Sequence, residues 1–442
     1  MRSLLLSLGL LAALLLAVPG PAPATASPLP PAPAEPPVLV GRNCGGTSRP
    51  GMLALDSSPA LAGTGWVVGG ALDAAPAAGT QQRPSIAASP VGTIFYAWQE
   101  GAAGDAGNIL AAAVAAAPPA GRLGVRVDDT GAAKSEQAAP SLAIDAGGQL
   151  HLVWEDLRSG QRGLFYASSS DGGATWSANT LLTGALPSLS HIVPHLLSGP
   201  GGALYLAWDG GSNIYFSRRI GGVWSAPTPI NAPLAGDRDL PRLALDAQGR
   251  LIAAWEDRRN PTPVIYVARL DQPATGAWGA EQRASPAATF AAQPSLAASD
   301  DGPLYLAYQG GPGIYLMTSG DGGTTWGPAR RVDDGDGNAF TNPRVAVDER
   351  GGVHCVWCRL RVNVVADVVA ARSLDGGASW GERATLASTT STAEPLDLIA
   401  HGGTLYAAWS DDRDGTPRLH TARWSEGGGE GGQLLYLPLL RR

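Results

Sequence analysis

A fifteen-residue segment that begins with proline and ends in tryptophan or tyrosine recurs seven times in this chain of 442 residues. The copies start at Pro84, Pro140, Pro194, Pro241, Pro294, Pro343 and Pro395, at intervals of 56, 54, 47, 53, 49 and 52 residues. Self-similarity at about 50 residues marks a propeller or an array, in which each copy is one supersecondary unit that cannot bury its apolar face alone. Each copy reads as two strands around a tight turn with glycine, such as Ala146-Gly147-Gly148. Second runs such as Leu204-Tyr205-Leu206-Ala207-Trp208 are apolar on both faces, which fits a strand sandwiched between sheets. A third apolar run follows (164–167, 214–216, 264–267, 314–316), then a turn, a tryptophan and a fourth strand. Four strands in about 50 residues make one blade. The expected fold class is all-β: a β-propeller of four-stranded antiparallel blades, seven in number, with six as the alternative.

Propellers close by letting one chain end complete the other end's blade. Trp176 lies 18 residues before the next repeat's proline, and Trp66 lies 18 before Pro84. Trp66-Val67-Val68 therefore reads as a fourth strand with no blade before it, free to join a last blade whose third strand is 417–421. The apolar run 434–440 is a rival closing strand.

The flanks read differently. Arg2, the apolar run 4–18 and Ala24-Thr25-Ala26 fit a signal peptide over residues 1–26; the run is short of the ~20 residues of a spanning helix. Residues 27–50 form a Pro-rich linker, 51–430 the propeller, and 431–442 an apolar tail. Glycine (59) and proline (36) make about a fifth of the chain, below the level of low-complexity disorder. Basic and acidic residues number 31 and 38, and no basic stripe appears, so nucleic acid is not an expected partner. A secreted or cell-surface monomer with no integral membrane segment after cleavage is expected. Export permits disulfides, and Cys44 could bridge Cys358. Cys355 and Cys358 spell C-x-x-C, but in a strand pattern residues three apart point to opposite faces, and no zinc ligands sit at the right spacing. Cys355 reads as a small buried apolar residue.

The most specific motif lies between third and fourth strands. Residues 169–176, 319–326 and 373–380 fit S-x-D-x-G-x-[ST]-W, and 217–224 is a worn copy that keeps Gly221 and Trp224. A short carboxylate can fold back on the turn's own amides, and glycine supplies backbone freedom. These turns resemble the Asp box of the sialidase superfamily of β-propellers, also known as the BNR repeat, over about residues 50–430. The resemblance implies that Asp171, Trp176, Asp321, Trp326, Asp375 and Trp380 are structural, on the face opposite the ligand site. Sialidases of known fold have six blades, so a seventh repeat departs from them.

Loops between second and third strands share a face with the loops between blades. Several carry an acid-x-Arg pattern: Glu155-Asp156-Leu157-Arg158, Glu256-Asp257-Arg258-Arg259 and Asp411-Asp412-Arg413. Either each acid pins its own loop through its arginine, or Arg158, Arg258 and Arg413, with Glu155 and Asp411, line a cup for anions. Guanidinium binds carboxylate through two parallel hydrogen bonds. Sialidases, by resemblance, hold the sialic acid carboxylate with three arginines; Arg83, Arg242 and Arg344, each at the mouth of a first strand, occupy suitable places. The Arg-Ile-Pro motif of catalytic sialidases is absent, since the chain reads Arg83-Pro84-Ser85-Ile86. Their tyrosine nucleophile has no clear counterpart, Tyr308 being the nearest candidate; Glu256 and Asp257 are the carboxylates that could run ordinary glycoside hydrolysis. No cofactor is expected. Asp334, Asp336 and Asn338 copy the start of a calcium loop that lacks its later Gly and Glu. The function expected is recognition of a glycan or another extracellular ligand on the loop face. A sialidase-type exo-glycosidase and a cell-envelope scaffold are the alternatives.

Overall fold

The computed structural model describes residues 66–426 apart from 72–78, 103–106, 115–123, 131–135, 159, 184–191, 211, 288, 300–301, 337–338, 362–364, 390–393 and 414. The segments expected as signal peptide and linker, Cys44, the 434–440 run and Asn338 lie outside the described residues. Seven antiparallel sheets succeed one another, six of four strands and one of five. Blade 1 comprises Gly79–Ala88, Ile94–Ala102, Asn108–Val114 and Val125–Arg126. The inner strands of the next five begin at Gln137, His195, Arg238, Ala292 and Ala339. Blade 7 comprises Glu394–His401, Thr404–Asp411 and Arg418–Ser425, and its outer strand is Trp66–Ala71 from the other end of the chain. Seven blades are thus present rather than six, and the closing strand is the one the tryptophan spacing indicates. The third strand of blade 7 runs through Ser425, beyond the expected 421, because Trp424 pairs with Trp66.

Apolar residues on both faces of each blade meet their neighbours in seven inter-blade cores. The core joining blade 7 to blade 1 includes Ile86, Tyr96, Trp98, Ala408 and Leu419. Buried Gln81 of blade 1 latches the same seam: its amide donates to the Pro417 carbonyl (2.9 Å) and its carbonyl accepts from Ser410 Oγ (2.5 Å). The second strands carry Trp98, Trp154, Trp208, Trp255, Trp357 and Trp409, all buried, with Tyr308 at the seventh place. Cys355 and Cys358 sit in two different inter-blade cores, as opposite faces of one strand require.

The turns that begin with serine form as their residue types dictate. Ser319 Oγ donates to Asp321 (2.8 Å) and accepts the Gly323 amide (2.8 Å), while Asp321 accepts the Thr325 amide (2.8 Å) and hydroxyl (2.6 Å). Asp171 and Asp375 repeat the pattern. The Thr175 hydroxyl and amide hold Asp171 down to about 2, so this turn keeps its carboxylate throughout the neutral range. Each turn tryptophan then wedges against the preceding blade: Trp224 meets Tyr166 edge-on at 5.6 Å. Trp278 of blade 4 meets Phe216 likewise at 5.2 Å; its turn has lost both Ser and Asp, and so was not legible as a copy of the motif.

Candidate functional site: a donor girdle in the axial cavity

The seven inner strands surround a cavity of about 740 Å³. One position in each inner strand pairs with the residue just before the buried Trp or Tyr. These positions are Ser85, Ser141, His195, Arg242, Ser295, Arg344 and Asp397, opposite Ala97, Val153, Ala207, Ala254, Ala307, Val356 and Ala408. All seven line the cavity and form a girdle around the axis.

A bulge in the strand pairing precedes six of them. Bulges re-aim side chains and recur beside functional sites. In five blades the residue before the repeat's proline holds a left-handed backbone: Arg83, Ala139, Leu240, Gln293 and Asn342, with φ between 49° and 55°. Such a conformation costs about 1–3 kcal/mol in a non-glycine residue and persists where the surroundings enforce it. These residues form a second tier of the cavity wall.

The girdle also joins blade to blade. Ser85, Ser141 and Ser295 each accept, through Oγ, an inner-strand amide of the next blade, from Leu142 (3.0 Å), Leu196 (2.8 Å) and Val345 (3.1 Å). His195 Nδ1 accepts from Leu243 (3.2 Å), and Asp397 from Ile86 (2.7 Å). Arg242 and Arg344 occupy the two remaining places. A guanidinium has five donors and no acceptor, so neither can make this bond. Each instead donates to the carbonyl of its own preceding proline, at 3.0 and 2.8 Å. Among the described residues, no carboxylate lies within ion-pair distance of either.

The electrostatics follow from burial. Burial and then the neighbouring Arg344 push the Arg242 guanidinium down to about 9; burial lowers Arg344 as well. Burial, with both arginines beside it, holds His195 well below the usual imidazole range, so it is neutral at pH 7. Its Nδ1 accepts a bond, so its proton is on Nε2. The serine hydroxyls, having accepted through oxygen, keep their hydrogens to donate. Six of the seven girdle residues can therefore donate a hydrogen bond, and Asp397 is the exception. Burial pushes the Asp397 carboxyl up, against the Ile86 amide and Arg344. Among the described residues, no Trp, Tyr or Phe lines the cavity, so its wall offers charge and hydrogen bonds rather than stacking faces.

Arg83, Arg242 and Arg344, from blades 1, 4 and 6, all line the cavity, and so does Arg258. The structure engages the other loop residues locally. Arg158 grips Asp156 through its amide (2.8 Å), Nε (2.9 Å) and Nη2 (2.6 Å), and Asp156 also accepts from Trp154 Nε1 (3.1 Å). Asp257 with Arg259 and Trp255, and Asp411 with Arg413 and Trp409, repeat this clamp. Asp257 further meets buried Arg238 at 3.2 Å. Glu155 pairs with Arg162, and Glu256 pairs with Arg258 (2.6 Å) and accepts the Gln293 amide (3.1 Å). Tyr308 lies in an inter-blade core stacked on Tyr315, away from the cavity wall, and burial pushes its phenol up to about 12. Asp334 and Asp336 stand 3.7 and 3.5 Å from Arg359, and the described residues hold no group of three or more His, Cys, Asp or Glu placed to bind a metal.

No protein-family model matches the sequence, and no curated protein matches it. The shape is similar to that of solved propellers. An ulvan lyase, of a polysaccharide lyase family, superposes with a TM-score of 0.56 at 12% identity, over 80% of this chain and 95% of that one. A protein of unknown function from Dyadobacter fermentans gives 0.50 at 13% identity, over 79% and 96%. A Hadza microbial sialidase gives 0.47 at 16% identity, over 75% and 76%. At these identities the likeness is one of fold, and glycan-acting propellers are among the neighbours.

Proposed function

We infer that this is an exported, glycan-directed propeller that binds an acidic sugar, or another small anion-bearing extracellular ligand, in the axial cavity of its loop face. One observation carries this reading: two of seven equivalent girdle positions give up the inter-blade bond and hold buried arginines that, among the described residues, have no carboxylate within ion-pair distance. Burying an uncompensated charge is unfavourable, and an incoming anion would relieve it. Carboxylate, sulfate and phosphate groups all present the several acceptors that such a donor girdle can satisfy. The fold of a polysaccharide lyase is compatible with a glycan ligand and supplies no residue roles.

A glycan array tests the reading. Signal is expected on glycans that carry carboxylates or sulfates and not on their neutral counterparts. Signal on neutral glycans alone would contradict the anionic site, and a blank array would favour an envelope scaffold that takes no glycan.

A further inference from the structure

Two carboxylates of the cavity wall belong neither to the girdle nor to the Asp–Arg clamps. Asp209 ends the second strand of blade 3, directly after Trp208, and Asp239 lies two residues before Pro241 on the inner strand of blade 4. Neighbours on one strand point apart, whereas these come from adjacent blades to a common wall. Their surroundings differ. Asp209 is buried, accepts the Val193 amide (2.5 Å) and, among the described residues, has no guanidinium within ion-pair distance. Asp239 is one-third exposed and stands 3.4 Å from the Arg258 guanidinium, which also holds Glu256. Burial, with Asp239 and Glu155 beside it, pushes Asp209 up to about 7. Burial raises Asp239 too, with Glu256 and Asp237 pressing the same way and Arg258 opposing. Arg242 is the other charged group that feels Asp209. Arg258, 3.4 Å away, thus favours the ionised form of Asp239, whereas Asp209 feels Arg242 only from beyond ion-pair distance.

The geometry points to a proton donor and a proton acceptor on one wall: Asp209 as general acid and Asp239 as general base in the hydrolysis of an acidic glycoside seated on the girdle. This rests on the reading of the cavity as a site for acidic glycans. The Asp209 carboxyl gives its proton to the glycosidic oxygen as the bond from that oxygen to the anomeric carbon breaks, and the bonding pair leaves with the oxygen. Water adds to the anomeric carbon, and Asp239 takes the proton that the water loses. The products are a free sugar, as its hemiacetal or, for a ketose such as sialic acid, its hemiketal, and an alcohol. Asp209 ends ionised and Asp239 protonated, and exchange with solvent restores both. Direct attack by water inverts the anomeric centre.

The test uses 4-methylumbelliferyl glycosides of sialic, glucuronic and galacturonic acids with the wild-type protein, Asp209→Asn and Asp239→Asn. Binding of the free acids is followed separately by thermal shift. Wild-type turnover of at least one glycoside is expected, and Asp209→Asn should lower kcat/KM by roughly 10²–10⁴-fold. On the 2,4-dinitrophenyl glycoside of the same sugar, whose leaving group needs no proton, that variant should come within about tenfold of wild type. A merely structural loss would lower both aglycones alike and would overturn the assignment of Asp209. Unchanged turnover in either variant overturns the role of that residue. A wild-type protein that binds the free acids but turns over none of these glycosides overturns the hydrolytic proposal and leaves the binding site standing. A wild-type protein that binds none of them removes the binding reading and this proposal together.

Discussion

Replacing Arg242 and Arg344 with serine is expected to abolish the proposed anion binding and to leave the propeller at least as stable. Serine already stands at three equivalent girdle positions and accepts the next blade's amide at 2.8 to 3.1 Å. At position 242 it would offer the same acceptor to the Leu296 amide, the counterpart of the Leu142, Leu196 and Val345 amides. One added hydrogen bond contributes about 0.5–1.5 kcal/mol net, and the unpaired buried guanidinium is removed at the same time. Binding should move the other way. A charge-assisted hydrogen bond contributes about 1.5–3 kcal/mol, so each variant should lose roughly 10- to 100-fold in affinity for an acidic ligand. The double variant should lose measurable binding. Denaturant melts paired with calorimetric titration of an array-selected acidic glycan read both quantities. Loss of stability together with binding would mean that the arginines hold the ring together and are not ligand groups.

The second large effect is expected at the seam of the ring. Trp66 is buried between blades 6 and 7, and its strand alone completes blade 7. Trp66→Ala should cost about 3–5 kcal/mol, in line with other buried aromatic truncations. Deleting residues 66–71 should have a larger effect, because Arg418–Ser425 would become an unpaired edge. Chemical denaturation followed by intrinsic fluorescence measures both. A deletion variant that unfolds with the wild-type midpoint and slope would show that the ring closes by other means.

The architecture was legible because it is written in residues that recur. Seven segments that run from proline to tryptophan or tyrosine indicate the blade count, and Trp66, standing where a fourth-strand tryptophan belongs, indicates the seam. The serine-led turns were equally readable, since Ser, Asp, Gly and Thr make their bonds within eight residues. The girdle was harder to see. Ser85, Ser141 and Ser295 look like ordinary strand serines until the pairing places them on one level around the axis. Asp397 escaped for a geometric reason. Six girdle residues lie 13 positions before their Trp or Tyr, but Asp397 lies 12 before Trp409. The blade 7 hairpin turns between His401 and Thr404, shorter than the hairpin of blade 2 between Ile144 and Leu150. Counting from the proline therefore puts Leu396 in the girdle's place. Counting back from the tryptophan with the turn length allowed for would have found it.

The charged loops show the opposite limit. Their acid-x-Arg spacing cannot separate a local clamp from a ligand cup, because both use the same residue types. The structure shows the clamp at Asp156, Asp257 and Asp411, where the acid accepts from its own arginine and from the indole two residues before it. Burial first, and then Glu155 of blade 2 and Asp239 of blade 4, push the Asp209 carboxyl up, and no single repeat contains all of these.

The central claim is that an anion is seated on the axis by two arginines that the ring itself does not need. Crystals soaked in selenate, an anomalously scattering analogue of sulfate, test it directly. An anomalous peak is expected on the axis within hydrogen-bond reach of Arg242 and Arg344, absent when both are serine. Peaks confined to the outer surface, with the girdle empty in the wild-type protein, would contradict it.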